Sequence, residues 1–122
     1  MKRKIVATAL ALSLLAGTTT VSAASVNTSE FGKFTYSLTK SANKISAKTS
    51  TEKTAHKLIT KLEIQVNATG QVLANITETA VNAKKNPVVK VINNGEKRSL
   101  AAFSAHEARG KSSVVKYKAD IF

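Results

Sequence analysis

Apolar and polar residues alternate most regularly in the middle of the chain, over KLITKLEIQV. The residues that fall on one side of this extended segment are Leu58, Thr60, Leu62, Ile64 and Val66. A period of two is typical of a β-strand with one buried face. We therefore predict a central strand over residues 57–66, with the other strands packed beside it or across from it.

Six further segments have a similar alternation and are separated by short polar turns. They are 31–39, 45–51, 72–83, 88–92, 97–108 and 114–122. Short segments at this spacing predict an all-β fold, a small antiparallel β-sandwich or barrel of about seven strands.

The residues between these segments are typical of turns. SANK, NATGQ and RGKSS each separate two segments, and Asn93-Asn94-Gly95 separates 88–92 from 97–108. Asn-Gly between two such segments is the strongest short signal for a β-hairpin, because both turn positions need positive φ. Asn86-Pro87, which contains the only proline, separates 72–83 from 88–92.

An α+β fold is the alternative. Ala55, Leu58, Ile59 and Leu62 also fit helical spacing, and a second such stripe precedes Asn86-Pro87. Threonine and other β-branched residues are dense throughout the chain, and they favour pleated sheets over helices. The all-β fold is therefore the preferred prediction.

The first 23 residues have the three regions of a cleaved signal peptide. Lys2, Arg3 and Lys4 precede a short apolar run, and small residues lead to a cleavage site after Ala23. The run is shorter than the ~20 residues of a membrane-spanning helix. We expect a secreted or cell-wall-associated protein, with residues 24–30 as a flexible tail and residues 31–122 as a single β domain.

Without the leader, 16 lysines and arginines and seven aspartates and glutamates remain, a net charge of +9. The chain has no cysteine, whereas small exported eukaryotic domains usually carry disulfides. This composition favours a Gram-positive bacterial source.

The lysines recur every few residues and predict a basic binding face. Its candidate residues are Lys44, Lys48, Lys53, Lys57, Lys61, Lys97, Arg98, Lys116 and Lys118. The expected partners of an exported basic surface are anionic cell-wall polymers or lipid headgroups. Specific nucleic-acid binding is not expected, because no aromatic residues are interleaved with the basic ones. The alternative is that the lysines maintain solubility and protect edge strands.

Residues with catalytic or metal-binding chemistry form no motif. The histidines, His56 and His106, lie in the similar tetrads TAHK and SAHE, without metal-ligand spacing, and we interpret them as polar residues near strand ends. No serine lies in a GxSxG motif, and no glycine-rich phosphate loop is present. We predict no catalytic residue, no metal and no cofactor, and therefore a protein that is not an enzyme.

The six aromatic residues lie near the two ends of the predicted domain. Phe31, Phe34 and Tyr36 come early, and Phe103, Tyr117 and Phe122 come late. Since aromatic side chains bury the most area, we expect the first and last strands to meet and to share the largest part of the core.

The basic leader, the GxFxxxL opening at Gly32, Phe34 and Leu38, and the ending AHEA…SSVVKYKADIF occur together. This layout resembles small exported β-sandwich proteins of Firmicutes and is weakly similar to lactococcin-type bacteriocins. The resemblance implies an exported β-sandwich and no catalytic residues. Our first hypothesis is a non-enzymatic, bacteriocin-like protein that binds the bacterial cell envelope. The alternative is a structural or surface protein that assembles through edge strands.

Overall fold

The computed structural model describes residues 23–93 and 95–122. These residues form six β-strands: β1 (Ala23–Thr28), β2 (Gly32–Ser41), β3 (Lys44–Val66), β4 (Val72–Val91), β5 (Leu100–Arg109) and β6 (Ser113–Ile121). Both ranges are free of helix, so the all-β prediction is confirmed over the α+β alternative. In particular, the described ranges contain no helix of the length and apolarity needed to cross a membrane. The predicted signal peptide lies outside them, apart from Ala23.

β3 is the strand around which the sheet is arranged. It pairs with β4 along one edge, and along the opposite edge it pairs first with β2 and then with β5. β1 continues the sheet beyond β2, and β6 continues it beyond β5. Every pairing is antiparallel. The central place predicted for residues 57–66 is therefore confirmed.

The sheet folds over at an irregularity in the β3–β4 pair. Ser50 lies opposite Lys85, but the next paired residue of β3 is Ala55, opposite Ala83. Extra residues on one strand bend it and increase its twist. The bend gives a first half of the sheet (β1, β2, the start of β3 and the end of β4) and a second half (the end of β3, the start of β4, β5 and β6). One core cluster contains Leu38 and Ile45 from the first half and Leu62 and Ala102 from the second, so the two halves face each other in a nearly barrel-shaped fold.

Two pairs of predicted strands are continuous in the structure. Segments 45–51 and 57–66 both belong to β3, and segments 72–83 and 88–92 both belong to β4. Pro87 does not end β4, because β4 pairs only with β3 among the described strands, and an edge strand tolerates a residue without an N–H. With β1 added, the strand number is six rather than seven.

The hairpin predicted at Asn93-Asn94-Gly95 is wrong. β4 and β5 lie on opposite edges of β3, so the connection between them crosses from one edge to the other. Asn94 itself lies outside the described residues. The other predicted turns join paired strands: Ala42-Asn43 joins β2 and β3, residues 67–71 join β3 and β4, and residues 110–112 join β5 and β6.

The prediction of a flexible tail over residues 24–30 is also wrong. β1 occupies most of it and pairs with β2 from Ala23↔Ser37 to Thr28↔Gly32. The segment is too polar to look like a strand, but backbone hydrogen bonding to β2 and the half-buried Ala24 and Val26 are enough to order it.

The interior has two apolar clusters. One contains Leu62, Ile64 and Val66, and the other contains Phe31, Phe34 and Leu58. All residues predicted to form the buried face of segment 57–66 are buried. The opposite side is less exposed to solvent than predicted, because Ile59 and Glu63 are each only 8% exposed.

The aromatic residues do not form one shared core. β2 and β6 do contact each other across the interior, as predicted for the first and last strands. However, the alternate residues of β6 that point inward are Val114, Lys116, Lys118 and Asp120, and Tyr117 on the other side is 40% exposed. Phe103 likewise lies on the outer side of the second half, in a small cluster with Ala101.

Candidate functional site

The nine predicted basic residues lie on several separate surfaces. Lys44 and Lys48 are exposed on the outer side of the first half of the sheet, and Lys53 is exposed at the fold-over. Lys57 and Lys61 lie on the outer side of the second half, opposite Arg109 and Ala105 of β5. They therefore do not form the single basic face that the sequence predicts.

Lys97 and Arg98 lie in the connection between β4 and β5. The Arg98 guanidinium donates two hydrogen bonds of 2.7 Å to the two carboxylate oxygens of Glu96. These bonds lower the pKa of Glu96 to about 2, and they raise the pKa of Arg98. Arg98 is therefore already paired with a carboxylate, and its charge is less available to a ligand.

Lys116 and Lys118 point toward the interior from β6 and are partly buried. The Lys118 Nζ lies 5.8 Å from the centre of the Tyr36 ring on β2. Burial lowers the pKa of Lys118, and the charge of Asp120 partly offsets this. These two lysines are placed between the halves of the sheet and not on an outer face.

The outer side of the first half combines lysines with a regular array of hydroxyl groups. The register also places Ala23, Asn27, Pro87, Val89 and Val91 on this side. Its hydroxyl and lysine residues are, in strand order, Ser25, Lys33, Thr35, Ser37, Thr39, Ser41, Lys44, Ser46, Lys48, Ser50 and Lys85. We call this set the hydroxyl–lysine face. Its β3 residues alternate with the buried Ile45, Ala47 and Thr49, which fixes their outward direction.

Register places the hydroxyls and lysines directly beside one another. Lys48 lies between Ser37 of β2 and Pro87 of β4, and Ser50 lies between Thr35 and Lys85. No carboxylate occupies the paired positions of this face among the described residues. Glu52 lies beyond one end, where its carboxylate accepts a hydrogen bond from the Lys33 backbone N–H. The face therefore has a positive potential with few groups to neutralise it.

Sequence reasoning missed Lys33 and Lys85 as members of this face, and the hydroxyls with them. The signal was present in β2 and β3, where serine, threonine and lysine alternate with buried residues. Which lysines of β4 lie beside them depends on the β3–β4 register, and the irregularity after Ser50 makes that register unpredictable from spacing alone.

The outer side of the second half is different in character. Its β5 and β6 residues are mostly apolar, and Val115, Tyr117 and Ile121 are 39–40% exposed. Arg109 beside them forms an ion pair with Glu107. Both outer sides contain lysines and some exposed apolar residues, but only the side of the first half combines its lysines with an array of hydroxyl groups.

A chain of polar side chains crosses the middle of the core and separates the two apolar clusters. Thr60 Oγ1 donates to the Asn86 carbonyl at 2.7 Å, and it therefore accepts from Thr49 Oγ1 at 2.6 Å. Thr49 Oγ1 in turn accepts from His106 Nδ1 at 2.8 Å. His106 Nε2 then accepts from Ser104 Oγ at 2.7 Å. We call Ser104, His106, Thr49, Thr60 and Asn86 the buried polar belt.

His106 is neutral in this arrangement, because one ring nitrogen donates and the other accepts. The side chain has 0% exposure. Burial lowers the pKa of His106 to about 4, the charge of Lys118 acts in the same direction, and the Lys48 backbone opposes them weakly. The expectation that His106 lies near a strand end is therefore wrong: it lies inside β5 and in the centre of the core.

The Ser104–His106 hydrogen bond joins the two groups that a nucleophile and its base would use. Ser104 is only 4% exposed and His106 is not exposed at all, so a substrate has no access to them in this structure. His56, the other histidine, is exposed on β3. The described residues contain no group of three or more histidine, aspartate or glutamate side chains placed to hold a metal ion.

No protein-family model, no curated protein and no solved structure matches this chain.

Proposed function

We propose that this protein is an exported, non-enzymatic β-domain that binds anionic groups of the bacterial cell envelope. The observation that carries the proposal is the hydroxyl–lysine face, where Lys44, Lys48 and Lys85 share one open side of the sheet without a carboxylate among them. The net charge of +9 outside the leader adds a long-range attraction to any anionic surface.

A salt series tests this proposal. The chain from residue 23 onward, which contains all six strands, is mixed with isolated Gram-positive cell walls and with vesicles containing anionic lipid. Binding that is present at low ionic strength and weakens steeply above ~0.15 M salt supports an electrostatic envelope binder. Absence of binding to walls and vesicles at low salt would contradict the proposal.

A bacteriocin-like antibacterial activity is the sharper form of this function. The purified chain, spotted on lawns of several Gram-positive strains, is expected to give clear zones, because envelope binding concentrates the protein on its target cells. Growth everywhere, together with retained wall binding, would leave envelope binding without antibacterial activity.

Assembly with other copies is the second candidate, and the exposed apolar side chains of β6 favour it. β6 pairs only with β5 among the described strands, and Val115, Tyr117 and Ile121 project from its outer side. Lys116 and Lys118 on its inner side oppose simple strand addition, since inward-pointing charges protect an edge strand. Assembly through the apolar side would persist at high salt and would be reduced by Tyr117→Lys. Analytical ultracentrifugation measures the degree of assembly in both cases.

A further inference from the structure

We propose that the hydroxyl–lysine face is the binding site itself, and that its ligand is a linear phosphodiester polymer with hydroxyl groups along its backbone. This inference rests on the proposed function and adds the surface and the chemical class of the partner. Three properties of the face lead to it: its extent, its donors and acceptors, and the side chains that it lacks.

The face suits an extended ligand. Lys44 and Lys48 are four residues apart on β3, which separates their Cα atoms by about 13 Å. Lys85 lies on the neighbouring strand, opposite Ser50 and one strand spacing of about 4.8 Å away from β3. A single small anion therefore cannot contact all three ammonium groups, whereas a flexible chain with repeated negative charges can cross the strands and contact each of them.

The chemistry of the face matches phosphate and hydroxyl groups. All its cations are lysines, which bind phosphate as point charges, while arginine is preferred where a carboxylate or a phosphate is bound through two parallel hydrogen bonds. Each serine or threonine hydroxyl both donates and accepts. Ser37, Thr39 and Ser46 are therefore able to bind polymer hydroxyls between the phosphates that the lysines attract.

The side chains that the face lacks argue against two other phosphate-bearing partners. The face contains no aromatic residue on which nucleic-acid bases could stack. The larger apolar side chains on this side, which would have to enter a bilayer, are Pro87, Val89 and Val91, all on β4 at its margin. A hydroxylated polymer without bases uses both the lysines and the hydroxyls, whereas DNA or a membrane uses mainly the lysines. RNA has a 2′-hydroxyl on each sugar, but the face offers its bases no aromatic side chain for stacking.

Two variants of equal charge test the site. Lys44→Gln/Lys48→Gln/Lys85→Gln removes three lysines from the face, and Lys57→Gln/Lys97→Gln/Lys111→Gln removes three exposed lysines elsewhere. Affinity for poly(glycerol phosphate) is measured by calorimetry at low salt for each, with unfolding midpoints as a check on folding. The face variant is expected to lose about tenfold in affinity, or ~1.4 kcal/mol, and the control variant less than about threefold.

A third variant tests the hydroxyl groups without changing the charge. Ser37→Ala/Thr39→Val/Ser46→Ala is expected to weaken binding to poly(glycerol phosphate) by about threefold, or ~0.7 kcal/mol. It is expected to leave binding to inorganic polyphosphate, which has no hydroxylated backbone, unchanged. Equal affinities of this variant and the unmodified chain for poly(glycerol phosphate) would overturn the assignment of a hydroxylated polymer.

The outcomes separate this inference from the proposed function. Equal losses in the two lysine variants would overturn the site, although envelope binding by net charge would stand. Binding to anionic vesicles without binding to poly(glycerol phosphate) would overturn the polymer and again leave envelope binding intact. If the unmodified chain binds none of poly(glycerol phosphate), anionic vesicles and isolated walls at low salt, the proposed function fails together with the inference.

Discussion

Thr49 and Thr51 lie two residues apart on the inner side of β3, but their hydroxyl groups have opposite surroundings. Thr49 Oγ1 bonds to both Thr60 and His106 within the buried polar belt. Thr51 Oγ1 is buried without a hydrogen-bond partner. A buried hydroxyl contributes to stability only when its hydrogen bonds are made, and it is costly when they are not.

We therefore expect the same substitution to have opposite effects at these two positions. Thr49→Val removes the hydrogen bonds from Thr49 to Thr60 Oγ1 and to His106 Nδ1, although Thr60 keeps its bond to Asn86 and His106 its bond to Ser104. It should lower the free energy of unfolding by about 1–3 kcal/mol. Thr51→Val removes an unpaired polar atom at nearly constant volume and should be neutral or stabilising by up to about 1 kcal/mol. Urea unfolding followed by circular dichroism measures both. Equal destabilisation by the two variants would contradict the hydrogen-bond assignment.

His106 predicts a loss of stability in mild acid. Its pKa of about 4 in the fold is below its ordinary value of 6.5, so the unfolded chain binds the proton more readily between these pH values. The contribution of His106 to the free energy of unfolding is fully present above about pH 6.5. It is lost as the pH falls toward 4, which lowers the free energy of unfolding by up to roughly 3 kcal/mol. Urea unfolding at pH 7 and pH 4.5 measures the change.

An NMR titration of the His56→Gln variant, in which His106 is the one remaining histidine, tests whether this loss of stability comes from His106. His106 should remain neutral, with the proton on Nδ1, down to about pH 4. A midpoint near pH 6.5 in the folded protein would show that His106 is not held neutral by burial. Glu30, whose pKa is also lowered, contributes stability that is lost only below its ordinary pKa of 4.5, and the two effects therefore fall in different pH windows.

At the scale of the elements, the turn between β1 and β2 is attached to the turn between β5 and β6. The Glu30 carboxylate accepts hydrogen bonds of 2.7 Å from the backbone N–H groups of Lys111 and Ser112, and one of 2.6 Å from Ser112 Oγ. These bonds lower the pKa of Glu30. They connect the start of the first half of the sheet to the end of the second half and help to hold the fold nearly closed.

Glu30→Ala should therefore lower the thermal unfolding midpoint more than Glu78→Ala. Glu78 is an exposed residue of β4, so its replacement removes the same charge without this connection. Circular-dichroism melts of the two variants measure the difference. Equal midpoints would show that the connection between the turns contributes nothing to stability.

A second prediction at this scale concerns Gly32, which has φ of +70° and begins β2. A Cβ at this position would lie 2.6 Å from Glu52 Oε1 and 3.0 Å from Glu52 Cβ. Gly32→Ala should destabilise the fold by more than about 1 kcal/mol, because both the backbone conformation and the contact oppose it. Gly95→Ala, where the added Cβ has no neighbour, is the matched control. Equal unfolding free energies for the two variants would contradict this role of Gly32.

The elements also show what the sequence was able to predict. Alternation placed Leu58, Leu62 and Ile64 correctly in the core, because their side chains decide which side of β3 is buried. The same reasoning separated 72–83 from 88–92 at Pro87, because it could not know that β4 lies at an edge. β1 was missed because its stability comes from backbone pairing with β2, which leaves little trace in side-chain hydrophobicity.

At the scale of the whole molecule, the fold separates two kinds of outer surface. The first half of the sheet exposes hydroxyls and lysines, with Val89 and Val91 at their margin, and the second exposes Val115, Tyr117 and Ile121 on β6. The sequence predicted a basic protein but not this separation. Which residues share an outer side depends on the register between strands that are distant in sequence, as with Ser50 and Lys85.

Binding of an anionic, hydroxylated polymer to the hydroxyl–lysine face can be mapped residue by residue by NMR. Amide chemical shifts of the unmodified chain from residue 23 onward are recorded as poly(glycerol phosphate) is added at low salt. We expect the largest changes on β2, the first part of β3 and the end of β4, around Ser37, Lys48 and Lys85. Changes centred on β5 and β6, or small changes distributed evenly over every lysine, would contradict binding at this face.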